Sequence, residues 1–172
     1  MNFSLTYRNH EVNTCPSLAW TFILLCASTI ALANKPDGTM YIEKGDGHFQ
    51  NNRFEEAQED YLQAAAWYEK TRNSDSLAIL EVRIAKTWLM MGEYQKGKTL
   101  MEKLTTNHEL AHATASEAWF VLAECYFYLS KPQAALKAYL TSRALYQQNP
   151  EISPIRTAHF EMSMGNVYRY EL

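Results

Sequence analysis

His108-Glu109-Leu110-Ala111-His112 is the run whose residue types and spacing match a catalytic motif outright. In H-E-x-x-H, two imidazoles four residues apart on one helical face bind zinc, and the glutamate stands beside the metal-bound water. That chemistry needs a helix running through the motif and a third ligand, for which Glu117, Glu124 and His159 are the downstream options. The hydrophobic register instead places the motif between Leu104 and Trp119, where one helical unit gives way to the next. It reads as a polar connector whose histidines face water or cap a helix, with a zinc metallopeptidase as a third-ranked alternative.

Other chemistry is sparse. The chain has no glycine-rich phosphate loop, no Gly-x-Ser-x-Gly elbow and no paired-cysteine metal site. No catalytic residue, cofactor or metal is assigned. Glu55-Glu56 with Glu59-Asp60 reads as a solvated helix face. Cys15 and Cys26 belong to the N-terminal region, so Cys125 is the single thiol of the remainder and cannot form an internal disulfide there. With Trp119, Leu122 and Tyr126 around it in sequence, Cys125 reads as a small buried hydrophobe. A formal charge of −3 and the absence of any Lys/Arg run argue against nucleic acid or an anionic membrane as partner.

Hydrophobic residues make up 47% of the 172 residues and charged residues 20%, the balance of a packed globular chain. Leu18 to Ala33 carries no charge and ends Ala31-Leu32-Ala33, followed by the polar run Asn34-Lys35-Pro36-Asp37-Gly38. This is the layout of a secretory signal peptide, residues 1–33, cut after Ala33. The product would be periplasmic or secreted. Left uncleaved, residues 18–33 would serve as a membrane anchor, the alternative kept open.

From Gly38 onward the apolar period is helical, with no alternation long enough for a strand. Breaks fall at Asn51-Asn52, Asn73 to Ser76, Met91-Gly92, Thr105 to Asn107, Ser130 to Pro132 and Asn149 to Pro154. Asp75 or Ser76 is expected to cap one helix, and Thr114 or Ser116 another. The fold class is all-α.

The segments repeat. In Phe54-Glu55-Glu56-Ala57-Gln58-Glu59-Asp60-Tyr61-Leu62-Gln63-Ala64, large and small residues alternate along one helical stripe. Small residues Gly45, Ala85, Ala123 and Gly165 recur at intervals of 40, 38 and 42, and Ala57, Gly97 and Ala135 at 40 and 38. A fixed period near 40 in a helical chain predicts stacked helix pairs. The units run approximately 38–73, 76–107, 114–148 and a partial 155–172, within a repeat domain 34–172.

Met91-Gly92-Glu93-Tyr94 and Ser163-Met164-Gly165-Asn166-Val167-Tyr168 show the pattern most fully, and it resembles the tetratricopeptide repeat family. The likeness covers residues 38–172. It departs from the family in its longer period, in His48, Lys44 and Ser142 at positions usually apolar or small, and in Gly97 for the second-helix alanine. The resemblance implies a right-handed solenoid of antiparallel helix pairs, about three and a half repeats.

It also implies that function lies on the concave face, lined by the first helix of each unit. Helical spacing then assigns Ile42, Asp46 and Phe49 to that face, with Val82, Lys86, Leu89 and Met90 from the second unit. The third unit contributes Phe120, Glu124, Phe127 and Tyr128, and the last helix Met162, Asn166 and Arg169. Ile42 and Asp46 stand where some relatives place residues that clamp a peptide carboxylate, which argues against a chaperone-tail receptor. An apolar helix or extended peptide fits better. The expected function is an exported, non-enzymatic scaffold that binds a protein or peptide. The alternative is the extracytoplasmic input region of a signalling enzyme, a sensor kinase or nucleotide cyclase, whose output domain lies elsewhere.

Overall fold

The computed structural model describes residues 37–107, 109–148 and 153–171, so the expected signal peptide or anchor, residues 1–33, and His108 lie outside the described residues. Seven α-helices and no strands occur among the described residues. They are α1 (Gly38–Gln50), α2 (Phe54–Thr71), α3 (Ser74–Met90), α4 (Tyr94–Thr105), α5 (His112–Tyr128), α6 (Pro132–Tyr146) and α7 (Pro154–Glu171).

Local chemistry sets the helix starts. Asp37 Oδ1 accepts from the Met40 amide at 3.0 Å and from Thr39 Oγ1 at 2.6 Å, and these bonds hold its carboxyl below the usual range. Asn73 Oδ1 caps α3 through the Ser76 amide at 3.1 Å. Asp75 and Ser76, the expected caps, lie inside that helix. Helix α5 likewise begins before Thr114 and Ser116, after Ala111, which makes no side-chain cap.

The ends of α1, α3 and α5 share one geometry. Asn52, Gly92 and Ser130 have φ of 58°, 79° and 57°, the left-handed conformation. The amide after each one reaches back five residues: Arg53 to His48 O at 2.9 Å, Glu93 to Trp88 O at 2.8 Å, and Lys131 to Tyr126 O at 2.9 Å. This is the Schellman closure, which satisfies carbonyls that the helix leaves open. Arg72, at φ 56°, ends α2 with the Asn73 amide on Tyr68 O at 3.0 Å.

Each helix packs on the next in the chain, and α3 also packs on α5. The core falls into three clusters that follow the order of the chain. Ala57, Tyr61, Ala64, Leu80 and Ile84 pack among α1, α2 and α3. Ala85, Met101, Leu104, Val121 and Leu122 pack among α3, α4 and α5. Phe120, Ala135, Tyr139, Phe160 and Val167 pack among α5, α6 and α7.

Of the recurring small residues, Gly45, Ala57, Ala85, Gly97, Ala123 and Ala135 are buried at contacts between helices, whereas Gly165 is exposed with nothing packed against it. A Cβ on Gly97 would stand 3.0 Å from Cys125 Sγ and 3.4 Å from Ala85 O, so glycine lets α4 approach there. Ser142 is accommodated by exchange with Ser116: Ser116 Oγ donates to Ser142 O at 2.9 Å and Ser142 Oγ to Ser116 O at 2.5 Å. No described helix is long and apolar enough to cross a membrane.

Candidate functional site

The inner edges of α1, α3, α5 and α7 enclose a cleft of about 220 Å³. Its walls are apolar, from Phe49, Leu89, Met90, Phe120 and Val121, and its polar groups are Lys86, Glu117, Glu124, Arg156 and His159. The geometry thus brings together Phe49, Lys86, Leu89, Phe120 and Glu124 of the residues expected from helical spacing, with Met90.

The other expected residues are placed differently. Val82 and Phe120 are 4% and 5% exposed, so Val82 belongs to the core, and Phe120 is a floor that presents little more than an edge. Ile42 packs half-buried on the α1–α3 cluster. Phe127 and Tyr128 join a run of aromatics instead: Tyr128 stacks on Tyr94 with centroids 4.8 Å apart, and Phe127 meets Tyr170 edge-on at 5.4 Å. Met162 is exposed on α7 with Ile155 and Ala158 on a shallow neighbouring surface. Asn166 is half-buried and Arg169 exposed, and neither lines the cleft.

Ion pairs tie these helices across the same side. Arg83 of α3 reaches Asp46 of α1, with Nη1 at 2.6 Å from Oδ1 and 2.5 Å from Oδ2. Lys86 of α3 and Arg156 of α7 both bind Glu117 of α5, one on each carboxylate oxygen. The Arg156 guanidinium also lies 4.2 Å from the Phe120 ring centroid and 5.0 Å from that of Phe160. Arg156 has no counterpart in the sequence reading. Only the seating of α7 on α5 brings it to Glu117.

Two tyrosines donate into carboxylates fifteen residues earlier: Tyr61 Oη to Asp46 Oδ1 at 2.6 Å, and Tyr139 Oη to Glu124 Oε1 at 2.5 Å. The second-helix residue of the intervening hairpin is Met101, fully buried, and the first-helix residue there is Lys86. A carboxylate therefore occurs where a phenol faces it, and not where a thioether does.

Burial, followed by the Asp46 carboxylate, raises the Tyr61 phenol above its usual range. Burial and then Glu124 do the same for Tyr139, and push the Cys125 thiol up to about 12. Cys125 is fully buried and inert as a nucleophile. A raised folded-state pKa gives stability that is complete below the unfolded-state value and is lost as pH climbs through the folded one. Denaturant midpoints are therefore expected to stay flat from pH 7 to 8. Above about pH 10 they should fall, each of these three groups weakening the folding constant by up to about tenfold per pH unit. A midpoint unchanged at pH 11 would contradict this.

On α2, Asp60 is buried and accepts from Lys44 Nζ at 2.8 Å. His48 Nδ1 stands 3.0 Å from the other Asp60 oxygen without hydrogen-bond alignment. The departures at Lys44 and His48 therefore serve a buried carboxylate between α1 and α2. Of the H-E-x-x-H run, Glu109 to Ala111 form the link between α4 and α5, and His112 is the first residue of α5. The run is not carried on one helix. Glu117, one of the proposed third ligands, is occupied by Lys86 and Arg156. No group of three metal-ligating side chains converges among the described residues.

A scan against protein-family models finds no match for the chain. A search of curated proteins likewise finds none.

Proposed function

We propose that the protein is an exported helical-repeat scaffold, similar to the tetratricopeptide repeats, that binds a protein or peptide and performs no catalysis of its own. The observation that carries this reading is the cleft where α1, α3, α5 and α7 meet, apolar along its walls and open to solvent at Met90, which is 53% exposed. A solenoid of helix pairs is supported by three hairpin turns of one geometry and by core clusters that each join three consecutive helices. Such arrays bind extended or helical segments through side-chain anchors.

The test is photocrosslinking. A benzophenone amino acid at Met90 should capture a discrete protein from the native compartment, and one at Leu140 on the outer face of α6 should not. Equal capture at both positions, or capture only at Leu140, would remove the cleft from consideration. Export is tested separately: Edman sequencing of the mature protein should begin at Asn34.

The second reading, an input region of a signalling enzyme, is favoured by the open side of α7, where Gly165 and Tyr168, one turn apart, are exposed and could receive a further helix. A transcript whose coding region stops at Leu172 would remove it.

A further inference from the structure

Asp46 and Glu124 are two versions of one arrangement that differ in a single donor. Each takes a phenol from the following helix, Tyr61 or Tyr139. Each takes a second donor from the next odd-numbered helix, Arg83 for Asp46 and Ser163 for Glu124. Arg83 neutralises Asp46 and lies 5.9 Å from the Tyr61 ring centroid. Ser163 Oγ donates only a neutral hydroxyl, at 3.2 Å, to the oxygen Oε1 that Tyr139 already occupies.

Glu124 consequently has no ion pair among the described residues, and its Oε2 makes no hydrogen bond among them. That side chain lines the cleft. Its charge is felt nearby: after burial itself, Glu124 is the largest influence raising Cys125, Tyr128 and Tyr139. At the other end of the cleft, seven residues earlier on α5, Glu117 is shared by two cations. The cleft is therefore negative at the Glu124 end and positive at the Glu117 end, which are about 10 Å apart along the helix.

We propose that the cleft takes a lysine or arginine side chain of a peptide partner, its cationic head on Glu124 Oε2 and its methylene stem along Leu89, Met90 and Phe120. The head would take the place beside Glu124 that Arg83 takes beside Asp46. A long basic side chain is suited to both surfaces, because its stem is apolar and its charged donor bonds strongly to a carboxylate. The inference rests on the peptide-binding reading above.

The experiment is an NMR titration of the isotope-labelled full chain with acetyl-Leu-Lys-Leu-amide, acetyl-Leu-Glu-Leu-amide and n-butylammonium. The lysine peptide should shift the amides of Glu124 and Ser163 and bind at least about tenfold more tightly than the glutamate peptide. Glu124→Gln retains a carbonyl for Tyr139 and Ser163, and should lower lysine-peptide affinity by about tenfold or more. Glu124→Gln should keep the parent circular dichroism.

Equal binding of the two peptides, or unchanged affinity in Glu124→Gln, would overturn the charge assignment while leaving peptide binding intact. Butylammonium binding as tightly as the lysine peptide would overturn the commitment to a peptide. No shift in the cleft with either peptide would overturn the inference and the peptide-binding reading together.

Discussion

Phe160→Ala is expected to cost about 3–5 kcal/mol of folding stability, which is the range for deleting a buried phenylalanine ring. Phe160 is fully buried. Its ring meets Phe120 edge-on at 5.4 Å, lies 5.6 Å from Tyr146, and carries the Arg156 guanidinium at 5.0 Å. It is the largest of the residues by which α7 enters the core, the others being Met164 and Val167. Truncation removes the transfer free energy of the ring and leaves a cavity between rigid aromatics that cannot close over it. Domains of this size are stable by about 5–15 kcal/mol, so the loss is a large share of the total.

The loss should also be local before it is global. Because α7 enters the core through one cluster, its amides should exchange faster in Phe160→Ala than those of α2 or α3. Urea unfolding and native-state hydrogen exchange measure the two parts. An unchanged urea midpoint, or uniform acceleration across all helices, would contradict the account.

Gly45→Ala and Gly47→Ala, two residues apart on α1, should change stability in opposite directions. A Cβ on Gly45 would stand 2.6 and 2.8 Å from Tyr61 Cε1 and Cδ1 and 3.3 Å from Ala57 O. Tyr61 cannot turn aside cheaply, because its hydroxyl is on Asp46 and Arg83 lies over its ring. The helices must part or the ring must leave its rotamer, at a cost of about 1–3 kcal/mol.

Removing a helical glycine returns about 1 kcal/mol in either case. At Gly45 that gain only softens the loss. At Gly47 no neighbouring heavy atom lies within 4 Å, so the gain stands alone. Denaturant midpoints of the two variants test this directly. Combining Gly45→Ala with Tyr61→Leu should recover part of the loss, and full additivity would argue against the ring as the cause.

Much of the helical architecture is legible along the chain because its signals are local. The stripe of Ala57, Tyr61 and Ala64 repeats every 3.6 residues whether or not a partner is present, and all three side chains are buried. Gly92 announces a left-handed turn by its lack of a side chain, whereas Ser130 and Arg72 adopt the same conformation with no such cue. The start of α3 illustrates a finer limit. Asn73, Ser74, Asp75 and Ser76 can all cap, and the choice of Asn73 follows from where the closure after Arg72 ends α2.

The cleft was legible only in part. Helical spacing marks a broad stripe on each first helix, but the rotation of that helix against its neighbours decides which members of the stripe are covered. Val82 is turned into the contact of α3 with α5, and Phe120 is covered by α6 and α7, while Met90 stays open. The bonds that shape the site join residues far apart in sequence: Lys86 and Arg156 to Glu117, Arg83 to Asp46, Ser163 to Glu124.

By itself, the sequence determined the helices, their approximate limits and the small residues at their contacts, since backbone hydrogen bonding and side-chain period are set by near neighbours. Only the tertiary structure decided that Asp46 would be neutralised and Glu124 left without a cation among the described residues. The two carboxylates look alike in sequence, and the donor that distinguishes them arrives from a helix more than thirty residues away.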